Sequence, residues 1–477
     1  MRGLQSARSS AGLRARRWDA VVLGGALPGL VAAARLGMEG LRVLVVEEEA
    51  AARGFAGLRE PFFLPGTAAG GVLDACLRAL TVPLIDRKKL EPDPIAFQVV
   101  LPEARIDVGE PQVTVEEWVS WGLAKPEEAR HAVRALQEAA AAERGAMIEA
   151  PVVRSGGLRG LARAGAARPT RHGRGLPLEL ASPPAALAPV LEAEVRALSN
   201  LAAAAPPPEA RARLLGAALE GGAGFAAADG FLRGLLRRRI QALFGEFRLL
   251  PGRFDLVAVG EHPGVAPQGG SDVWLGRALI LNAPRALLAR ALPQEGAAPP
   301  AFLDAAAPTH RRVGLHLRAH RAVLPEGMAR RVIRVGDPAQ PLEGTNLVTI
   351  GVFPAGGASD AVDLAVSAVV PAPADAAESA RVEAELEAAA RALLPFSDGR
   401  VVRGPASQAR WDDDGWLADP GLGEGWPGEV EIRASSRPPV YALCREGVAA
   451  LGSEGDLLLG WRAGDAIRAE LGGGKAS

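Results

Sequence analysis

Lysine, tyrosine and cysteine are nearly missing from this chain. Of 54 basic residues four are lysine (Lys88, Lys89, Lys125 and Lys475), the single tyrosine is Tyr441, and Cys76 and Cys444 are the two cysteines. Two cysteines so far apart exclude a disulfide framework and a CxxC metal or redox site, and each reads as a small buried hydrophobe. Aromatic residues make up 4% of the chain, poor material for base-stacking platforms or aromatic cages. A net charge of −1 provides no basic balance for nucleic acid. No stretch of 18 apolar residues runs without a charge or proline, so no transmembrane helix is expected. With 48% hydrophobic and 23% charged residues, long disorder is excluded as well. The excess of Arg, Ala, Gly and Pro reads as the codon bias of a GC-rich bacterial genome.

Side-chain catalysis finds little support. His316 and His320 have helical metal-ligand spacing, but Val313, Leu315 and Leu317 alternate around them. That pattern is a strand, with both histidines on its polar face and too far apart to share an ion. Asp412-Asp413-Asp414-Gly415 resembles a calcium loop, yet the EF-hand register would begin at Arg410 and end at Gly421, so the ligand set fails. Ser453 lacks the elbow spacing of a hydrolase nucleophile. Arg237-Arg238-Arg239 lies beside Leu235, Leu236 and Ile240 and reads as a solvated helix face.

What is present is a set of alternating structural patterns. The chain's 477 residues allow two or three domains. Residues 1–17, with five arginines and no acid, read as a disordered leader. Residues 18–95 read as β-α-β followed by loop and helix, with Val21–Leu23 and Val43–Val46 as strands. Residues 96–225 are Ala-rich and helical by pattern, broken at Pro183-Pro184 and Pro206–Pro208. Residues 226–285 return to the first domain. Residues 286–435 hold strand-like runs, clearest over 311–371, that suggest an antiparallel sheet. Residues 436–471 close with a strand, Val440–Cys444, and a helix; 472–477 are a tail.

The sharpest local signal is Gly24-Gly25-Ala26-Leu27-Pro28-Gly29, between the first strand and the first helix. This is the strand–turn–helix context of a dinucleotide fingerprint. Gly24 permits the turn, Gly29 permits helix-on-strand packing, and amides at the helix start hold a pyrophosphate. Ala26 replaces the usual middle glycine. Glu47 ends the second strand, where a carboxylate accepts a ribose 2′-OH and repels a 2′-phosphate. FAD or NAD is therefore favoured over NADP. Arg53 could reach the pyrophosphate by a charge-assisted bond.

At the other end, Ala450-Leu451-Gly452-Ser453-Glu454-Gly455-Asp456 opens the last helix. With the fingerprint, and with Asp229-Gly230-Phe231, Gly245-Glu246, Gly264-Val265 and Leu281-Asn282-Ala283-Pro284 in order between them, the chain resembles the FAD-dependent phytoene desaturase and retinol saturase-like oxidoreductases of the amine-oxidase-type flavoprotein superfamily. The resemblance implies a mixed α/β fold, a discontinuous Rossmann-like FAD-binding domain with an inserted substrate domain that carries an antiparallel or mixed sheet and helices. It implies that the closing segment runs under the flavin, and that a residue near Phe254 meets the adenine side. Ala26 and Ala450 stand where the family has glycine, Cys444 where its strand ends in glycine, and Ala449 where it has proline; its adjacent glycines after the second strand are broken up as Arg53-Gly54-Phe55-Ala56-Gly57.

The candidate cofactor set is Gly24, Gly25, Ala26, Leu27, Pro28, Gly29, Glu47, Glu48, Arg53 and Gly54, with Glu446, Gly452, Glu454, Gly455 and Asp456 from the closing segment. The expected activity is FAD-dependent hydride transfer of desaturase or saturase type on an apolar, isoprenoid or lipid-like small molecule. Amine oxidation would ask for an aromatic cage and a lysine that this composition does not favour. The alternatives are a flavin-binding or flavin-less relative serving as a scaffold, and an NAD-dependent dehydrogenase. Expected placement is cytoplasmic, at most peripheral on the inner membrane through arginines such as Arg154, Arg159, Arg163 and Arg168.

Overall fold

The computed structural model describes residues 5–6 and 14–472 apart from 67–69, 150–152, 156–177, 227–229, 271, 293–299, 304–308, 357–359, 374, 406–414 and 418–429. Arg159, Arg163 and Arg168, Asp229 and the run Asp412–Asp414 fall outside the described residues.

The first sheet has a parallel core of five strands in the order Glu246–Leu250, Val43–Glu48, Arg14–Leu23, Asp272–Leu281, Val440–Ala442. Its central strands are apolar on both faces: Ala20 to Leu23 and Val43 to Val46 are buried. That is what a parallel sheet covered on two sides requires. Asp272–Leu281 shares its outer edge between the closing strand and an antiparallel hairpin, Phe254–Val259 with His262–Pro267. One covering layer is helical: Leu27–Gly37, Leu232–Ala242 and the closing helix Gly452–Gly472 pack there around Val31, Leu36, Leu235, Leu458 and Ile467. The hairpin and its neighbours cover the other face, with Phe254 in that core beside Trp18 and Leu250.

The first strand is longer than its apolar run. It begins at Arg14 and pairs with Asp272–Leu281 from Arg14↔Asp272 to Leu23↔Leu281, while Gln5–Ser6 pairs with Val257–Ala258. Arg14 to Arg17 therefore belong to the sheet and not to a disordered leader. Their side chains are exposed, so charge does not oppose pairing; the ladder satisfies backbone groups whatever the side chains are.

The second sheet has eight strands, Val401–Arg403, His310–His320, Ala361–Pro371, Leu347–Pro354, Arg331–Val335, Ile95–Val100 and Arg105–Gly109 in order, with Trp416–Leu417 also on His310–His320. All pairings are antiparallel except Arg331–Val335 with Ile95–Val100. Two of these strands come from residues 95–109, inside the region whose composition reads as helical. Helix Ala376–Arg391 covers one face through Val382 and Leu386. Helices Pro126–Glu149, Ala188–Leu198 and Pro208–Ala218 build a core with Phe97, Ile106 and Ile333 on the other side. No helix among the described residues is long and apolar enough to cross a membrane.

The two ends of the chain meet because two glycines let helices touch. A Cβ on Gly460 would lie 2.4 Å from the Pro28 carbonyl oxygen, and one on Gly464 2.7 Å from the Arg35 Cβ. Arg35 Nε then reaches Asp465 at 2.6 Å. Gly460→Val forces the helices apart and is expected to cost about 1–3 kcal/mol, read as a lower denaturant midpoint. A midpoint equal to the parent's would refute this packing.

Candidate functional site

The fingerprint turn is held on three sides. Gly24, at φ +111°, donates its N–H to the Val46 carbonyl at 2.8 Å. That left-handed backbone needs glycine. Ala26 is extended and caps helix Leu27–Gly37, so the first amides of that helix open onto a cleft. Asn282, at the end of the neighbouring strand, donates Nδ2 to the carbonyls of Ala26 at 2.9 Å and Gly24 at 3.3 Å. A Cβ on Gly29 would come within 2.3 Å of that Nδ2, so Gly29 makes room for the clamp. The Ala26 methyl lines a small recess with Pro28, Pro284 and Leu443.

Glu47 is 5% exposed at the end of its strand. Its Oε1 lies 2.1 Å from where a Cβ of Gly25 would be, so the carboxylate stands against the turn. Arg237 pairs with its other oxygen while its guanidinium lies 4.1 Å from the Phe247 ring centroid. Arg239 donates Nε to the Leu80 carbonyl at 2.9 Å. Of the arginine triplet only Arg238 is exposed, which corrects the solvated-face reading. Leu249, not Phe254, stands opposite Glu47 in the sheet.

Arg53 is not brought into the site. Its side chain is 76% exposed and pairs with Glu49 at 2.5 Å along the short helix Glu49–Arg53. Gly54 is in ordinary extended backbone, φ −72°, and Glu48 is half-buried at the strand end. Another arginine takes that place. Arg233 donates Nη1 to the Gly25 carbonyl at 2.5 Å and Nε to the Arg59 carbonyl at 2.8 Å. Glu60 fixes it by accepting the Leu232 and Arg233 amides at 2.8 and 3.0 Å. Burial raises the Glu60 carboxyl and Arg233 partly opposes this. A break after a loop and a Leu-Arg-Gly sequence gave no signal for Arg233; only the fold sets it beside Gly25.

The closing segment meets the same cleft. Gly452 has φ +55°, and a Cβ there would fall 2.0 Å from the Leu198 carbonyl oxygen, so glycine is required twice over. A Cβ on Gly455 would lie 2.5 Å from the Val448 carbonyl oxygen. Ser453 Oγ donates to the Phe63 carbonyl at 3.1 Å. The carboxylates of this segment are each bound by the protein's own donors. Glu454 is bidentate to fully buried Arg213, both contacts 2.6 Å. Glu446 accepts the Arg285 amide at 2.7 Å at the start of helix Arg285–Ala291. Asp456 binds Arg445 and borders the cleft with it. Buried carboxylates must find donors, and these found arginines and a helix start.

Two clefts of about 1100 Å³ each adjoin here. The first runs from Leu27 past Arg233 and Arg445 to Ser453 and Asp456. The second crosses the face of the other sheet along Thr349, Gly351, Phe353, Ala365 and Ser367, roofed by Phe62 and Phe231. They share Leu58, Glu60, Pro61, Phe62, Ala197, Arg312 and Ser367. Among the described residues that line them there is no lysine or tyrosine. No cluster of three or more His, Cys, Asp or Glu that could hold a metal occurs among the described residues. His316 is in a strand, but its ring is 7% exposed, stacked 4.2 Å from Phe55 with Nε2 at 2.8 Å from Asp363. Both histidines lie on the strand face opposite Val313, Leu315 and Leu317, as the alternation requires, but only His320 is exposed.

At its Leu27 end the first cleft offers the start of helix Leu27–Gly37 with Arg233 and Arg445, a set of donors that suits a diphosphate.

No protein-family model matches this sequence, and no curated protein does. Solved structures match it along its length. Putrescine oxidase with putrescine bound aligns with a TM-score of 0.53 over 96% of this chain and 100% of its own, at 13% identity. Cyclohexylamine oxidase from Brevibacterium oxydans aligns at 0.51 over 95% and 99%, with 15% identity. An oxidoreductase from Methanosarcina mazei aligns at 0.50 over 92% and 98%, with 14% identity. The chain has the fold of these oxidases. The mixed α/β class read from the sequence is therefore correct.

Arg213→Met would strand Glu454 as a buried unpaired carboxylate, at about 3–5 kcal/mol of stability. The double variant Arg213→Met, Glu454→Gln should recover most of that loss in chemical denaturation. Equal losses in the single and double variants would mean that the pair is not the reason for the cost.

Proposed function

We propose that this protein is an FAD-dependent oxidoreductase that moves a hydride to or from an apolar small molecule, in the manner of the desaturase- and saturase-type enzymes it resembles. One observation carries the reading: the cleft that starts at the fingerprint turn ends at the first turn of the closing helix, and there it opens into a second cleft over the other sheet. An NAD-dependent enzyme has no reason to bring its C-terminal helix back to the cofactor site. The solved relatives in fold include oxidases, one of them studied for cofactor binding.

FAD bound in the first cleft would supply the acceptance or donation of hydride. The protein's own residues supply the rest. Arg233 and Arg445, with the amides at Leu27, offset the diphosphate charge. Glu47, paired with Arg237, accepts a ribose hydroxyl. Phe62, Phe231 and Phe353 keep water from the second cleft, and no protein nucleophile is needed. An amine is a poor substrate here, although putrescine oxidase binds one. A protonated amine would enter a cleft lined by Arg196, Arg312, Arg330 and Arg331, with Glu60, already bound to amides, as the one carboxylate among the described residues that line it.

Purified protein should be yellow, with a visible flavin absorbance band. Glu47→Gln keeps the shape and removes the charge, so flavin should bind weaker by roughly 1.5–3 kcal/mol, about tenfold or more. Colourless parent protein that takes up no added FAD would overturn the proposal in favour of a flavin-less scaffold. A yellow Glu47→Gln variant with undiminished affinity would remove Glu47 from the site alone.

A further inference from the structure

The far end of the second cleft holds two arginines aimed at one point. Arg331 starts strand Arg331–Val335 and Arg330 precedes it, tied to the next strand by the Val352 amide on the Arg330 carbonyl. Neighbouring strand residues ordinarily point to opposite faces. Here both guanidinium groups converge on the glycine-rich strand Gly222–Phe225. A Cβ on Gly224 would lie 3.3 Å from Arg330 Nη1 and 3.5 Å from Arg331 Nη2, and one on Gly222 would lie 2.8 Å from Arg331 Nη1. The absence of side chains on that strand makes space for both cations.

Among the described residues, no carboxylate contacts either guanidinium group. Arg331 is 9% exposed and donates to two carbonyls, Ala223 and, at 3.4 Å, Ala96. Arg330 is exposed and makes no side-chain hydrogen bond or ion pair among the described residues. Burial pulls Arg331 down to about 10; Asp93 opposes that and Arg330 adds to it. A buried cation of this kind is costly unless an anion meets it. The forked guanidinium matches carboxylate and phosphate oxygens. From this point the cleft continues past Phe225 and Leu347 to Phe231 and Phe353.

We propose that the second cleft takes an amphipathic anion, its carboxylate or phosphate head on Arg330 and Arg331 over Gly224 and its apolar body along Phe231 and Phe353 toward the cofactor cleft. This assignment rests on the reading of that cleft as the substrate site. It gives the substrate a head and a direction: the anionic end is held in the second domain, and the apolar part lies toward Leu58 and Ser367, which both clefts share.

Calorimetric titration of the protein as purified with octanoate, octyl phosphate and octan-1-ol tests this. At least one of the two anions should bind about tenfold or more tighter than the alcohol, and Arg330→Gln should remove most of that preference while leaving alcohol binding unchanged. Whichever anion binds tighter identifies the head. Arg330 is exposed, so its variant should fold; Arg331→Gln, which loses bonds to two strands, is read only after its denaturation midpoint matches the parent's. Equal binding of alcohol and both anions, or an undiminished preference in Arg330→Gln, overturns the proposal. Flavin content is read separately by absorbance. Colourless protein that still selects the anions would overturn the FAD reading and keep this site, whereas yellow protein without selectivity would do the reverse.

Discussion

Contact between helix Leu27–Gly37 and helix Gly452–Gly472 is the constraint on which the rest of the site depends. The two are separated by more than 400 residues of chain, and their approach is set by Gly460 against Pro28 and Gly464 against Arg35. Backbone closeness of that kind aligns the two helix starts on one cleft. The chain must then leave the first sheet twice, after Val43–Glu48 and after Asp272–Leu281, and return to it each time. The second sheet is what the two excursions build, and its face supplies the wall that the first domain lacks.

Charged groups do the fastening around that contact. Glu454 with Arg213, Asp456 with Arg445, Glu446 with the Arg285 amide and Glu47 with Arg237 are carboxylates at the places where the sequence anticipates cofactor ligands. Three of the four tie the closing segment to the inserted helices or to the neighbouring loop. Such pairs contribute little net stability compared with apolar packing, because desolvation of both partners offsets their attraction. Their effect is to fix which helix end lies where. Glu47 differs: it lies against the fingerprint turn, away from the closing segment.

The fingerprint turn, the strand ending in Glu47 and the closing helix were legible because each depends on local sequence: a φ of +111° that only glycine takes easily, a buried β-branched run, a helix opening on Gly452. What was not legible depends on partners far along the chain. Arg14 to Arg17 look unstructured until Asp272–Leu275 pairs with them. Ile95–Val100 is six residues in a long Ala-rich stretch, and becomes a strand by lying parallel to Arg331–Val335. Arg53 was the plausible cation near the diphosphate by proximity in sequence. Arg233, 180 residues later, holds the position because Glu60 anchors its helix. Long-range pairing sets both the strands and the cations, and a single sequence shows neither.

The two clefts together resolve a tension between the fold and the composition. Putrescine oxidase and cyclohexylamine oxidase share the architecture, and putrescine is a polyamine. This chain's second cleft carries arginine where a cationic substrate would need acceptors or neutral aromatic faces. Among the described residues, the charged lining of that cleft is mostly arginine: Arg196, Arg312, Arg330 and Arg331 against Glu60. Since binding selects by the difference between partners, arginines at the far end repel amines as effectively as they attract acids. Phe62, Phe231 and Phe353 complete the selection by favouring a molecule with an apolar body. On the proposed reading, an anion-binding end and an apolar wall share one face of the second sheet, so the strands that build the fold also set the class of molecule that enters.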